Sequence, residues 1–170
     1  MAALAALAGA AVYVVRTEPP WYARIRYPLR YETIVRVHAR DYGLDPALLA
    51  AVIYQESKFR ADARSSSGAI GLMQLLPDTA RGIAIRTGGT RFHTEDLYDP
   101  DINVRYGCWY LRHLLQKYRD EGTALAAYNA GQDNVDRWLR ERVGIQFGET
   151  RHYVKHVEEL KGVYRRSYHL

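Results

Sequence analysis

The sequence predicts an all-α domain, and three observations support that fold class. From about Tyr31 onward, runs with apolar residues at helical spacing alternate with short breaks that contain Gly, Pro, Asp or Asn. No long stretch alternates β-branched with polar residues, which is the pattern of a half-buried strand. The chain has 170 residues, of which 48% are hydrophobic and 25% charged, so one globular domain is expected and whole-chain disorder is excluded.

Seven helices are predicted along this domain. The first covers residues 31–42 and ends before Gly43. The second begins at Asp45 and Pro46, because Asp is a favoured N-cap and Pro is favoured in the first turn. The other five are expected at residues 77–86, 102–118, 123–130, 135–142 and 150–165. The Ser- and Gly-rich segment 60–71 is predicted to be the most irregular stretch inside the domain.

The chain before the domain divides into an apolar segment, residues 1–16, and a linker, residues 17–30. No charged residue occurs from Ala2 to Val15. This run is shorter than the roughly 20 apolar residues of a membrane-spanning helix, but it has the composition of a signal-peptide core or a truncated anchor. We expect export or membrane tethering, with upstream sequence missing because no basic residue precedes the run. The alternative is a buried N-terminal helix of an intracellular protein.

The linker prediction depends on composition. Residues 17–30 carry three of the six prolines together with scattered arginines, and they have no apolar periodicity. The globular domain is accordingly assigned to residues 31–170.

Charge and cysteine content exclude several classes of function. The chain has 24 Lys and Arg against 19 Asp and Glu, and its net charge of +5 fits nucleic acid, anionic lipid or an acidic cell-wall polymer equally well. The arginines are spread out without a recognition helix, so no nucleic-acid partner is expected. The single cysteine, Cys108, excludes an internal disulfide and a CxxC zinc site. His152 and His156 form an i,i+4 pair without the HExxH pattern, so neither a metal nor a cofactor is expected.

One carboxylate falls in an unusual place. Leu48, Leu49, Val52 and Ile53 define the apolar face of the second predicted helix, and Glu56 continues that face beside the irregular segment. A carboxyl held against apolar surface has its protonated form favoured, which suits a general acid near neutral pH. Spacing alone leaves open an ordinary solvent-exposed glutamate at a helix end.

Four ordered sequence motifs resemble the soluble lytic transglycosylase family, which is related to goose-type lysozyme. The motifs are ESKF at 56–59, GAIGLMQ at 68–74, AYNAG at 127–131 and ETRHYV at 149–154. With the residues between them, the matches extend over about 31–163, nearly the whole domain. The resemblance implies a lysozyme-like helical domain with a substrate cleft.

The resemblance also implies an activity and its catalytic residue. The family cleaves the β-1,4 bond between N-acetylmuramic acid and N-acetylglucosamine in peptidoglycan, leaving 1,6-anhydromuramic acid ends. By motif position Glu56 acts first as acid and then as base. Two alternatives remain: a muramidase of the same fold, and a catalytically silent glycan-binding module. The expected partners are peptidoglycan strands and, through the N-terminal segment, a membrane at an extracytoplasmic location. The oligomeric state is not predicted.

Three residues in or between the first two motifs are implied to bind substrate. Ser65 matches a serine that hydrogen-bonds near the catalytic carboxylate and the acetamido group of the substrate, although a turn serine has the same appearance. Gln74 matches a glutamine that lines the cleft beside the acid. Met73 is expected either to offer apolar contact to the substrate or to belong to the core.

The two C-terminal motifs add four implied substrate contacts. Tyr128 is expected to approach the catalytic carboxyl, and Tyr153 to place a second hydroxyl over it. Asn129 is implied to contact sugar, although Asn is also common at helix C-termini. Glu149 matches a glutamate at the base of the cleft, and the helix macrodipole explains a glutamate there nearly as well.

Overall fold

The structure is a computed structural model, and it describes residue 1, residues 18–89 and residues 91–170. These residues form eight α-helices and a short 3-10 helix, Thr94–Tyr98, with isolated β-bridges and no strand among them. The α-helices are α1 Pro20–Arg26, α2 Glu32–Asp41, α3 Pro46–Ser57, α4 Pro77–Arg86, α5 Pro100–Tyr118, α6 Glu121–Ala130, α7 Gln132–Arg140 and α8 Gly148–Tyr168. The predicted all-α fold is confirmed.

The seven predicted helices are all present, and their ends shift by a few residues. The start of α3 is as predicted, since the Asp45 side chain accepts a hydrogen bond from the Ala47 amide at 2.9 Å. The largest differences are in the last two helices. Helix α7 begins at Gln132, three residues earlier than expected, and α8 continues to Tyr168, three residues beyond the predicted end.

Residues 17–30, predicted as a linker without apolar periodicity, contain the short helix α1. Pro20 occupies the first turn, where proline is favoured, and the helix packs on α8 with Ala23 buried. Arg24 Nε donates to the Ser167 carbonyl of α8 at 2.8 Å. A seven-residue helix is too short for periodicity to reveal, and its stability comes from these tertiary contacts.

The apolar N-terminal segment, residues 1–16, lies outside the described residues except for Met1. Of the helices in the described part of the chain, none combines the length and the apolar character needed to cross a bilayer.

Helix α3 is the centre of the hydrophobic core. Every residue from Ala47 to Ile53 is buried, so this helix is apolar on all sides rather than along one stripe. It packs most extensively against α8, while α6 packs against both α5 and α8. Glu56 therefore comes directly after a stretch of α3 that is buried on every side, in the half-buried last turn of the helix.

A loop of residues 58–76 follows α3 and forms one wall of the site. The chain leaves the helix through two consecutive residues with positive φ, Lys58 at 53° and Phe59 at 59°. Phe59 is buried in the core, and the buried Ser57 hydroxyl donates to the Leu72 carbonyl at 2.8 Å. These contacts return the loop across the end of α3, beside Glu56.

Asn103 of α5 fixes the middle of this loop from beneath. Its Oδ1 accepts from the Met73 amide at 2.8 Å, and its Nδ2 donates to the carbonyls of Ile70 at 2.9 Å and Leu97 at 2.8 Å. Gly71 passes directly over the Asn103 amide with φ of 81°, and a Cβ there would overlap that amide. Only glycine fits at this close approach.

Candidate active site

A surface cavity of about 480 Å³ brings most of the predicted site residues together. It lies between the end of α3, the 58–76 loop, the junction of α6 with α7, and the start of α8. The predicted site residues that line this main cavity are Glu56, Ser65, Gln74, Tyr128, Asn129 and Glu149. An adjoining side cavity of about 210 Å³ is lined by Tyr153 and shares Glu56, Asn129 and Glu149 with the main cavity. Glu56 is thus reached from two sides.

The Glu56 carboxyl is half-buried and has a single hydroxyl donor. Tyr153 Oη, on the buried face of α8, donates to Glu56 Oε1 at 2.7 Å. Burial raises the pKa of Glu56 from 4.5 to about 7, and the hydrogen bond from Tyr153 partly offsets that rise. Tyr153 thus lies over the carboxyl, at the position that the resemblance implies. Near neutral pH this carboxyl is divided between its protonated and ionised forms, so it can both give and take a proton.

Tyr128 makes its hydrogen bond to the 58–76 loop rather than to Glu56. Its hydroxyl donates to the Met73 main-chain carbonyl at 2.8 Å, and that is the partner the structure gives it. Burial is the main cause of a Tyr128 pKa well above the ordinary value, and the nearby charge of Glu56 raises it further. Tyr128 therefore lines the same cavity as Glu56, while its hydroxyl holds the loop.

Of the two alternatives for the Met73 side chain, the structure shows the core position rather than a surface that could contact substrate. This side chain is fully buried, and it packs so closely on Gly107 of α5 that no Cβ would fit there. Met73 acts through its main chain instead, since its amide is held by Asn103 and its carbonyl by Tyr128. From the sequence, Met73 could belong either to the core or to the substrate-binding surface. Only the tertiary packing distinguishes these two alternatives.

Ser65 and Gln74 line the main cavity and also shape the loop. Ser65 Oγ accepts from the Ala69 amide at 3.0 Å and lies 2.8 Å from Ser67 Oγ. Gln74 Nε2 donates to the carbonyls of Gly71 at 2.9 Å and Ala63 at 3.2 Å. Neither side chain makes a hydrogen bond with Glu56 in this structure.

Asn129 and Glu149 belong to the opposite wall. Asn129 Oδ1 accepts from Thr150 Oγ1 at 2.8 Å, which connects the end of α6 to the start of α8, and Asn129 lines both cavities. Glu149 lies in the first turn of α8, where the positive end of the macrodipole favours a carboxylate, and it is exposed. It is the second carboxylate that lines both cavities.

The support that Asn103 gives to the loop is a feature that the sequence motifs did not predict. A signal does exist, because Asn103, Tyr106, Gly107 and Tyr110 are spaced as one face of α5, and a polar side chain on such a face needs internal partners. Among the described residues, no group of three or more His, Cys, Asp or Glu side chains is placed to hold a metal ion.

Comparison with known families agrees with this geometry. A family model described as "Transglycosylase SLT domain" matches residues 33–147, more than half of the chain. The chain belongs to the transglycosylase SLT domain family. The predicted family is thereby confirmed. The matched range contains Glu56, the 58–76 loop and the AYNAG motif, whereas the fourth motif, at 149–154, lies beyond it.

Individual relatives of this SLT domain carry the name lytic murein transglycosylase. The soluble lytic murein transglycosylase of Salmonella typhimurium is 32% identical over 152 residues, which are 82% of this chain and 24% of that protein. The membrane-bound lytic murein transglycosylase C of Haemophilus influenzae is 36% identical over 118 residues, covering 64% of this chain and 33% of that one. The chain thus spans about a quarter to a third of the length of these curated relatives.

A solved structure has the same fold as this SLT domain. An inactive mutant of the lytic transglycosylase Slt from Pseudomonas aeruginosa superimposes with a TM-score of 0.80 at 34% identity, over 86% of this chain and 25% of that one. The lysozyme-like SLT architecture is therefore shown for the described residues.

Proposed function

We propose that this SLT domain is a peptidoglycan lytic transglycosylase that cleaves the β-1,4 bond between N-acetylmuramic acid and N-acetylglucosamine and leaves 1,6-anhydromuramic acid ends. The observation that carries the proposal is a carboxyl with a pKa of about 7 that lines a surface cavity of about 480 Å³. A group that must donate and then accept a proton works best when its pKa lies near the working pH. The relatives named as lytic murein transglycosylases support the same reaction.

In the proposed reaction Glu56 is the only proton carrier. Protonated Glu56 gives its proton to the glycosidic oxygen, and the bond from that oxygen to C1 of the muramic acid breaks with oxocarbenium character at C1. The carboxylate then takes the proton from the C6 hydroxyl of the same sugar while O6 bonds to C1. The leaving sugar departs as an alcohol, the ring closes, and Glu56 is protonated again, so atoms and protons balance without a water molecule.

We assign the surrounding residues by what they contact. Tyr153 binds one carboxyl oxygen and keeps the pKa of Glu56 from rising further. Asn129, Ser65 and Gln74 offer polar groups to the acetamido and hydroxyl groups of the glycan along the main cavity. Tyr128 is a positioning residue, because it acts through the Met73 carbonyl.

Glu149 favours a second candidate function, a muramidase. Hydrolysis of a glycosidic bond commonly uses two carboxylates, one of which activates water or attacks the sugar. Glu149 lines both cavities together with Glu56 and is exposed, so it is placed to contact water. In a transglycosylase Glu149 has no proton-transfer step, whereas in a hydrolase it is essential.

Product analysis separates the two functions. Purified peptidoglycan is digested in oxygen-18 water and the fragments are identified by mass spectrometry. We expect anhydromuropeptides without label, and we expect Glu149→Gln to keep the same products with a modest loss of rate. Labelled reducing ends that disappear in Glu149→Gln would assign hydrolysis. Binding of glycan with no cleavage by the wild type would assign a silent module, and Glu56→Gln is the matched negative control.

We propose an extracytoplasmic location, with the uncharged run from Ala2 to Val15 serving in export or as a membrane tether. Its composition is that of a signal or anchor segment, and the named relatives include one soluble and one membrane-bound form. Cell fractionation with a protease-protection assay tests this. Recovery of the chain in the cytoplasm, protected in intact spheroplasts, would contradict it.

A further inference from the structure

Helix α1 exposes two large apolar side chains on one face. Trp21 is 58% exposed and Ile25 is 73% exposed, and they are four residues apart, one helical turn. Tyr22 packs edge-on against Trp21 with ring centroids 5.9 Å apart. An exposed tryptophan and isoleucine on the same turn form a small apolar patch, which is a candidate contact surface.

The rest of α1 is arranged around this pair. At about 100° per residue, Ala23 lies on the opposite side of the helix, while Arg24 and Arg26 flank the apolar pair on its two sides. Ala23 is buried against α8, and both arginines are exposed. An apolar stripe between cations is the pattern of a helix that lies in a membrane interface, with the apolar side chains among acyl chains and the guanidinium groups at the phosphates.

Helix α1 is fixed to the domain rather than free. Besides the bond from Arg24 to Ser167, the Tyr54 hydroxyl of α3 donates to the Arg26 carbonyl at 3.1 Å. Tyr168 Oη accepts from the Leu29 amide at 3.0 Å and is 3.0 Å from the Tyr27 carbonyl, to which it donates. A surface that binds α1 therefore also sets the orientation of the whole domain.

The charges near α1, and the apolar run that precedes it in the sequence, indicate what binds this face. Residues 17–30 contain Arg24, Arg26 and Arg30 but a single acidic residue, Glu18. The uncharged apolar run ends at Val15, five residues before α1 begins. Tryptophan and tyrosine are enriched at the headgroup level of bilayers, and arginine is attracted to anionic headgroups.

We propose that the face of α1 formed by Trp21, Ile25, Arg24 and Arg26 rests on a lipid surface that carries anionic headgroups, and so orients the cavity relative to the membrane. This inference deepens the membrane attachment proposed above and is independent of the cleavage reaction. None of the four residues lines either cavity at Glu56.

Quenching of tryptophan fluorescence by brominated lipid tests the contact. The full chain is reconstituted into vesicles of phosphatidylglycerol and phosphatidylcholine with brominated acyl chains. Trp21 is one of three tryptophans. We expect quenching in the wild type, loss of most of it in Trp21→Phe, and weaker quenching in vesicles of phosphatidylcholine alone. Neutralising one arginine in Arg26→Gln should lower the equilibrium constant for this surface contact about fivefold.

Two isoleucines of equal exposure supply the matched control. Ile25 on α1 and Ile85 on α4 are both 73% exposed, so Ile25→Ser should reduce the quenching while Ile85→Ser leaves it unchanged. Cleavage of soluble glycan fragments should be the same in both variants. Quenching that persists in Trp21→Phe, or equal effects of the two isoleucine variants, would overturn the inference.

Other occupants and other failures give distinct results. If the face instead binds a second copy of the chain, Ile25→Ser lowers self-association in sedimentation while no quenching depends on Trp21, and the lipid assignment is refuted. If the chain fractionates with membranes but shows no quenching from Trp21, the surface contact is refuted and the tether remains. Neither result alters the outcome of the product analysis.

Discussion

Two tyrosines approach the same carboxyl and perform different tasks. Tyr153 of α8 donates its hydroxyl to Glu56, whereas Tyr128 of α6 donates its hydroxyl to the Met73 carbonyl of the 58–76 loop. Both are deeply placed, and the pKa of each is raised chiefly by burial. The comparison teaches that the α8 wall of the cavity adjusts the proton on Glu56, while the α6 wall maintains the shape of the loop.

The loop wall depends on a series of side-chain bonds to main-chain groups. Asn103, Tyr128 and Gln74 each hold main-chain groups of the loop segment that runs from Ala63 to Met73. On the α8 wall, by contrast, one hydrogen bond reaches the acid itself. Substitutions in the two walls should therefore separate loss of structure from a shift in the pKa of Glu56.

The largest effect is expected from removing the titratable group itself. Glu56→Gln keeps the side-chain volume and can still accept from Tyr153, but it has no proton to give. General acid–base catalysis contributes about 10²- to 10⁴-fold, so the rate of anhydromuropeptide release should fall by at least that factor. Mass-spectrometric product quantification measures it, and a variant with more than a tenth of the wild-type rate would refute the role of Glu56.

Asn103→Ala should cause the largest loss of stability on the loop wall. It leaves the Met73 amide and the Ile70 and Leu97 carbonyls buried without their partner, which should lower the free energy of unfolding by about 3 kcal/mol or more. Denaturant unfolding measures this change. The control is Asn134→Ala on α7, whose side chain makes one donor contact, to Ala130, and should cost about 1 kcal/mol. Equal costs would contradict the supporting role of Asn103.

Glu56→Gln should also stabilise the fold, but only at high pH. Because the folded pKa of about 7 lies above the ordinary value of 4.5, the unfolded chain releases this proton first as the pH rises. Wild-type stability is thus unaffected by Glu56 below pH 4.5 and falls between pH 4.5 and 7, by up to about 3 kcal/mol. Thermal unfolding should show the variant above the wild type at pH 8 and equal to it at pH 4. A gain independent of pH would contradict the raised pKa.

Tyr153→Phe should change the pH dependence of the reaction more than the stability of the fold. Loss of a hydrogen bond to a charged group is worth about 1.5–3 kcal/mol, so the pKa of Glu56 should rise by about one unit or more. The basic limb of the pH–rate profile should shift upward accordingly, since Glu56 stays protonated to higher pH. An unchanged limb would show that Tyr153 does not act on the proton.

Tyr128→Phe should have the smallest effect. In contrast to Tyr153→Phe, it should lower the stability of the fold without changing the pH dependence of the reaction. It leaves the Met73 carbonyl without its donor, so the free energy of unfolding should fall by about 1 kcal/mol. The basic limb of the pH–rate profile should stay where it is in the wild type. A shift as large as that of Tyr153→Phe would remove the distinction between the two walls.

Signals between residues close in sequence predicted the helices and drew attention to Glu56. Asp45 followed by Pro46 marks a helix start in any context, and Glu56 follows the apolar spacing of α3 into a glycine-rich segment. The resemblance to known motifs added Tyr153 and its position over Glu56. The helix start and the apolar spacing could be predicted because caps and periodicity depend on residues close in sequence. The contact between Tyr153 and Glu56 joins residues 97 positions apart, so it came from the resemblance and not from a local signal.

Other features depended on contacts between distant residues. Met73 is 34 residues before Gly107, and only their packing together buries its side chain completely. The partner of the Tyr128 hydroxyl is a main-chain carbonyl 55 residues away, which carries no side-chain signature. Helix α1 and the residues after it are held by hydrogen bonds with α8, which lies more than 130 residues later in the chain. Sequence periodicity does not report such pairings.

The titration of the Glu56 carboxyl tests the central claim most directly. Carbon-13 labelling of the glutamate side chains allows its pKa to be measured by NMR, with Glu56→Gln identifying the signal. We predict a pKa of about 7 in the wild type, a higher value in Tyr153→Phe, and no change in Tyr128→Phe. A wild-type pKa near 4.5, or equal shifts in the two tyrosine variants, would contradict this claim.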